Sequence, residues 1–338
     1  MEQTSSISYP NVLALRYLKE TGQVAPKIAM KAEHYVNVGY QRLLTFESPT
    51  GGFNWWGNGA PGNVVLTGLG IQQFQEMSKV HDVDQRVIER SRRWLASKQA
   101  ADGSWNKNTH LHGYNMALGA SKLRTTSYIL WSLLQGGDRG AHVGKGIGYL
   151  KKHLGDAKDL YTRALAANAL VLWKATDPVT VKLLRELHRR RVANASAKTV
   201  SWPTKGDTAT YSRGKAAAIE TTALVVMALL KSGGYAAAVN GGLAFLVKSK
   251  GAYGNWHSTQ ATILALKALL TALGGTKSKE TMWVTVELDG KVIGREKLSP
   301  ENSDVMRLID GGLIGPGAHR VQLFTQGKIG RASCRERV

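Results

Sequence analysis

Thr221-Thr222-Ala223-Leu224-Val225-Val226-Met227-Ala228-Leu229-Leu230-Lys231 has hydroxyls at its start, a cation at its end, and nothing between that needs water. Leu224, Met227, Ala228 and Lys231 follow one another at the three-and-four spacing of a helix. Runs of the same kind recur at 11–21, 64–79, 125–135, 162–174 and 259–273. Most of them open on Thr, Asn or Ser, which cap helix starts, and several close at Gly. Between them lie half-charged amphipathic stretches at 27–45, 85–98, 144–154, 179–192 and 241–248. Two kinds of helix therefore alternate along the chain.

That alternation has a geometric meaning. A helix touched on all sides needs small or apolar residues throughout, whereas an outer helix keeps one wet face. Helical hairpins stacked around a closed ring meet both conditions, with the apolar helices lining the axis. A straight solenoid competes, but it gives no role to the connecting loops. Three of these loops place an aromatic after Gly: Gly51-Gly52-Phe53-Asn54-Trp55-Trp56, Asp102-Gly103-Ser104-Trp105 and Gly254-Asn255-Trp256. The plain reading is a glycine turn that sets an aromatic wedge under the next helix; the sharper one is an aromatic-lined pocket at one end of the ring. After Gly274-Gly275 the period becomes alternating. Residues 282–288 enter the Asp289-Gly290 turn and pair with 291–298, while 305–309 and 319–324 add two further strands. About four strands make half of a sandwich and leave edges to be covered.

The chain has 338 residues, 43% of them hydrophobic and 20% charged, with nine Trp, so it is long enough for about two domains and can bury a core. No apolar run reaches the roughly 20 residues of a membrane helix. The N-terminus, Met1-Glu2-Gln3-Thr4-Ser5-Ser6, has no signal-peptide pattern, which says nothing about compartment if the chain is a fragment. Forty-five Lys and Arg face 24 Asp and Glu. That balance suits an anionic partner or membrane surface, docked through a basic face. Arg90, Arg92 and Arg93, and the run His188-Arg189-Arg190-Arg191, also read as solvated helix ends, where cations meet the negative end of the dipole. Neither cluster carries a groove-reading motif, so nucleic acid is not expected. The one cysteine, Cys334, allows no disulfide. It lies in 328–338, which resembles a translated sequencing adapter and is read as a non-native tail. Nine scattered His, with His110-x-His112 lacking a third ligand, predict no metal. No cofactor is expected.

His257-Ser258-Thr259-Gln260-Ala261-Thr262-Ile263-Leu264-Ala265-Leu266 resembles the Ser-Thr-Gln-Asp-Thr-(apolar)-Ala-Leu run of the α2-macroglobulin and complement C3 family, with Ala261 in place of the usual Asp. Residues 9–18 and 38–44 are similar to the two helices that follow that family's thioester. The resemblance implies a mainly all-α fold, an α/α toroid over 1–276, followed over 280–327 by a partial antiparallel β-sandwich, the returning half of a CUB-type domain. The family's motif is Gly-Cys-x-Glu-Gln; Met1-Glu2-Gln3 carries its last three positions, and the Gly and Cys are missing. The expectation is a fragment cut at the motif, of bacterial type, from a periplasmic or extracellular endopeptidase inhibitor whose partners are target proteases and its own other domains.

The chemistry explains the motif. A thiolate condensed with the Gln3 side chain makes an acyl group that survives while dry and acylates the first amine or hydroxyl to reach it once exposed. Turnover is single, so the protein is not an enzyme. Family members that favour hydroxyl targets carry a His after the Asp-Gly-x-aromatic turn, a place taken here by His112 or His110; a neutral imidazole there attacks the thioester or deprotonates the incoming hydroxyl, and either His also reads as a surface residue. Glu220 matches an acidic residue common in the family, and stabilisation of a helix N-terminus accounts for it equally well. Two rivals remain. One is a family member without the thioester, acting as a binding or scaffold module. The other is an isoprenoid cyclase, since Leu95, Gln99, Gly103 and Trp105 fit the QW motif of those α/α toroids. Its acidic Asp-x-Asp-Asp has only Asp82-Val83-Asp84-Gln85 to offer.

Overall fold

In a computed structural model the described residues are 1–21, 26–57, 59–106, 121–252, 254–276, 281–299, 309, 312, 317 and 319–326. They form two compact units, Met1–Thr271 and Ala272–Val338. The first is all helix apart from one small hairpin: α1 (Glu2–Thr21), α2 (Pro26–Leu44), α3 (Val64–Met77), α4 (Gln85–Ser97), α5 (Lys122–Gln135), α6 (Ala141–His153), α7 (Leu160–Lys174), α8 (Pro178–Arg189), strands β1 (Val192–Asn194) and β2 (Thr199–Ser201), α9 (Gly214–Ser232), α10 (Ala236–Lys248) and α11 (Thr259–Thr276). The mainly α expectation holds.

Odd-numbered helices pack side by side, α1 on α3, α3 on α5, α5 on α7 and α7 on α9, and each of α1 to α9 also packs on the even-numbered helix that follows it. Lys267 of α11 bonds to Tyr9 of α1 and Gln72 of α3, so the last inner helix returns to the first. Of the inner set, α3, α5, α7 and α9 are buried nearly all round, and every residue of α3 is buried except Leu69, whereas α1 keeps an exposed face. Outer helices bury a stripe only, such as Val87, Ile88, Ser91, Trp94 and Leu95 on α4. This is the division between wet and dry helices that the residue pattern requires.

The aromatic loops are wedges with a fixed hydrogen-bond pattern. Trp105, Trp202 and Trp256 each donate the indole N–H to the last-turn carbonyl of the preceding outer helix, at Leu95, Leu187 and Leu246, all at 2.7 Å. Each also donates its backbone N–H, at 3.0 Å, to a threonine hydroxyl in the N-terminal half of the next inner helix, Thr126, Thr222 and Thr262. Phe53 makes the same backbone bond to Thr67 at 2.8 Å. One residue thus adds an indole bond to a last-turn carbonyl that also accepts a backbone N–H (from Lys98, Arg190 and Ser249 in turn, at 3.1–3.2 Å), and its own backbone fastens the next helix. Trp202 follows no glycine and is a member of the set that the glycine pattern does not reveal.

Several boundaries differ from the sequence reading. α1 begins at Glu2, not at 11, because Met1, Ser5, Ser8 and Tyr9 are buried and hold two turns ahead of Pro10. α9 begins at Gly214, so Glu220 lies in its second turn and does not open it. α8 ends at Arg189, and Val192, read as helical, starts the β1–β2 hairpin.

The second unit carries β3 (Met282–Leu288), β4 (Lys291–Leu298) and β5 (Val321–Gln326), with β3 central and both pairings antiparallel. Asp289 and Gly290 both have positive φ, 49° and 82°, as a tight hairpin turn demands. The last strand starts at Val321, with His319 and Arg320 before it. The expected strand at 305–309 falls almost wholly outside the described residues, as does the tail at 328–338.

Candidate functional site

The inner helices run parallel, so their N-terminal ends meet at one rim of the ring. Glu2, Ser5 and Ser6 of α1, Val65 and Leu69 of α3, Tyr128 of α5, the 209–212 loop and Ser258, Thr259, Gln260 and Ile263 at the start of α11 enclose a cavity of about 220 Å³ there. Met1 anchors this edge. Its side chain is 4% exposed and packs with Val12, Phe53 and Phe74. Its backbone nitrogen donates to the Trp55 carbonyl at 2.9 Å. Gln3, two positions on, points away from the core and is exposed. Helix geometry makes the difference, since Met1, Ser5, Ser8 and Tyr9 share the inner face while Gln3 and Ile7 share the outer one.

Behind the cavity wall sits a carboxyl group. Glu220 is completely buried. Its Oε1 accepts a long bond from Ser258 Oγ at 3.5 Å, and its Oε2 has no hydrogen-bond partner. Burial raises the Glu220 acid to about 7, against the opposing effect of the nearby Ser212, Thr208 and Ser258 hydroxyls. Ser258 also accepts from the Ala261 N–H at 3.1 Å and so caps α11. A helix-start role for Glu220 is thereby replaced by one in the interior.

Toward the C-terminal ends of the inner helices the ring is filled by a polar cluster that no local motif announces. Lys267 is 5% exposed and donates to Gln72 at 2.8 Å, Gln135 at 3.1 Å and Tyr9 at 3.4 Å, with its ammonium 4.5 Å from the Trp131 ring centre. Gln135 and Arg16 both bind the Glu76 carboxylate at 2.7 Å. Burial lowers Lys267 to about 7, and Glu76 pulls in the other direction. The only sequence signal is a lysine interrupting an otherwise apolar helix.

His110 and His112 lie outside the described residues. Among the described residues no group of His, Cys, Asp and Glu has the arrangement to hold a metal. The strings that fit a cyclase have structural work. Asp84 caps α4, accepting from Arg86 N–H at 3.0 Å. Gln99 bridges the carbonyls of Gly103 and His142 at 2.8 Å each. Of the basic clusters, Arg90 grips Glu47 through two bonds, Arg92 binds the Gly136 carbonyl, and Arg190 pairs with Glu186 at the end of α8.

Comparison with known proteins agrees with this architecture. A family model described as the A-macroglobulin TED domain matches residues 1–271. Ovostatin of Gallus gallus is 28% identical over 286 residues, 79% of this chain and 19% of that protein. The thioester-containing protein 1 allele R1 of Anopheles gambiae is 27% identical over 316 residues, 91% of this chain and 22% of that protein, and its allele S3 is 27% identical over 296 residues. The chain therefore spans about a fifth of the length of the curated relatives it matches.

Proposed function

We propose, from the premise that this chain belongs to the A-macroglobulin TED (thioester-containing) domain family, that it is the reactive domain of a protease-trapping protein, with Gln3 as the acyl half of a thioester. The observation that carries this reading is the exposure of Gln3 on the outer face of the first turn of α1. A cysteine placed directly before Met1 falls three positions from Gln3, the Cys-x-Glu-Gln spacing of the motif, just ahead of the first turn of α1. Condensation of that thiol with the Gln3 carboxamide releases ammonia and forms the thioester. An attacking amine then forms an amide with the Gln3 acyl carbon, the C–S bond breaks, and the thiolate departs and takes up a proton. Each domain reacts once, so the outcome is inhibition and not catalytic turnover. Target proteases and the other domains of the intact protein are its partners, and it works outside the cytoplasm. No helix among the described residues is long and apolar enough to cross a membrane.

The test is uptake of labelled methylamine by the intact protein with cysteine before Met1. Wild type takes up one equivalent and Gln3→Ala takes up none; equal uptake by both rules the mechanism out.

A second reading rests on a different observation, the basic last turn of the outer helix α8 at His188 and Arg189. A member without the thioester would use it to dock an anionic partner. The identity of the residue before Met1 in the intact protein separates the two.

A further inference from the structure

We propose that the cavity at the N-terminal rim is a reversible binding site for a primary alkylammonium group, held by the hydroxyls of Ser5, Ser212 and Ser258 in front of the Glu220 carboxylate. The inference is independent of the thioester reading, because it requires neither Gln3 nor a cysteine.

Three observations lead there. The first is size. About 220 Å³ is below the ~300–1,000 Å³ of sites for drug-sized ligands and suits a short chain of a few heavy atoms. The second is the mixed lining. It includes the apolar side chains of Val65, Leu69 and Ile263 and the hydroxyls of Ser5, Ser212 and Ser258. A ligand that matches both is an aliphatic stem with a polar head. The third is a set of unanswered polar atoms. Ser5 Oγ is 3% exposed, lines the cavity and has no hydrogen-bond partner. Glu220 Oε2 is buried without a partner, and the two serines on its near side, Ser212 and Ser258, are both cavity-lining residues.

Charge decides the chemical class. The starts of α1, α3 and α11 favour an anion by their dipoles. Two carboxyl groups at the same place, Glu2 on the lining and Glu220 behind it, oppose this, and a whole charge outweighs the partial charge of a helix end. An alcohol brings one donor. An ammonium brings three donors and no acceptor, which suits serine oxygens that have lone pairs to spare, and it supplies the counter-charge that the buried carboxylate lacks.

The chain as it stands is titrated with n-butylammonium, and with n-butanol as the uncharged equivalent, at about pH 8, following backbone amide NMR shifts. The expected result is saturable shifts at Ser5, Ser212 and Ser258 with n-butylammonium, binding about tenfold weaker for n-butanol, and a similar loss for n-butylammonium in Glu220→Gln. Equal affinities for the two ligands, unchanged affinity in the variant, or no saturable shift at these serines each overturns the proposal. The two-ligand comparison uses wild-type protein and so decides the matter even if Glu220→Gln does not fold.

Discussion

The ammonium of Lys267 donates to Oε1 of Gln72 at 2.8 Å, joining α11 to α3 across 195 positions of chain. The same nitrogen reaches Gln135 on α5 and Tyr9 on α1, so one cation ties four inner helices at the axis. Its proton is correspondingly sensitive to folding. Burial holds Lys267 near about 7, whereas an unfolded lysine titrates near ~10.4. Between those values the unfolded chain binds the extra proton, so this group makes folded stability rise with pH by up to about 1.4 kcal/mol per unit; below about pH 7 its penalty is constant. Lys267→Met removes the slope and strips Gln72 and Gln135 of their donor. The variant is expected to be less stable by about 2–4 kcal/mol near pH 9, with a smaller deficit near pH 6. Urea midpoints at the two pH values check this, and a deficit that does not change with pH refutes the titration.

Glu220 predicts the opposite slope. Its folded value of about 7 lies above the ~4.3 of an unfolded glutamate, so the folded chain binds more protons between the two. The stability this confers is fully present below about pH 4.3 and is lost as pH rises through about 7. Tyr161, which faces it, is itself raised by burial well above its ordinary value and stays neutral throughout. Glu220→Gln remains uncharged. It should match wild type near pH 5 and exceed it near pH 8.5 by up to about 3 kcal/mol, read from chemical denaturation at both. Parallel pH profiles for variant and wild type contradict the assignment.

The repeated tryptophan bond can be separated from tryptophan volume. Trp202→Phe keeps most of the buried area but removes the indole bond to the Leu187 carbonyl, which retains only the Arg190 backbone N–H at 3.2 Å, at a cost of about 0.5–1.5 kcal/mol. Trp202→Ala also opens a cavity and costs about 3–5 kcal/mol. Thermal unfolding of the two variants distinguishes the terms; a phenylalanine variant as stable as wild type shows that the indole N–H contributes nothing.

Gly39 marks the closest approach of α1 and α2. A methyl group there would lie 2.4 Å from Ser8 Cβ, inside any real contact. Gly39→Ala must therefore push apart the hairpin that carries Gln3. The expected loss is about 1–3 kcal/mol. Gly144, on the outer helix α6, meets nothing within 4 Å, and Gly144→Ala serves as the control that should be neutral or slightly stabilising. Equal effects of the two substitutions, measured by urea denaturation, would falsify the close-approach argument.

The helices and their alternation were legible because burial on all sides and burial on one side demand different compositions over ten or more residues. Ends were less legible. The residue pattern of the 11–21 run places its start after Pro10, and only the burial of Tyr9 and Ser5 shows that the helix starts earlier. Glu220 read as a helix opener because Thr221 and Thr222 follow it and resemble caps. Both threonines are wholly buried in the third turn of α9, and Thr222 answers the backbone of Trp202. Ser201-Trp202-Pro203 contains no glycine, so the glycine pattern does not mark Trp202.

Taken alone, the order of residues determined the helix types, the ring of hairpins, the turn at Asp289-Gly290 and the likeness of Met1-Glu2-Gln3 to a thioester motif. These are properties of local periodicity and short strings, which act over one or two turns. Tertiary structure alone decided that Lys267 lies among Gln72, Gln135 and Tyr9, that Glu220 is buried behind Ser258, and that Ser5 faces a cavity with no partner. The energy of a polar group depends on what surrounds it once water is removed, and for these residues the surroundings come from helices far apart in the chain.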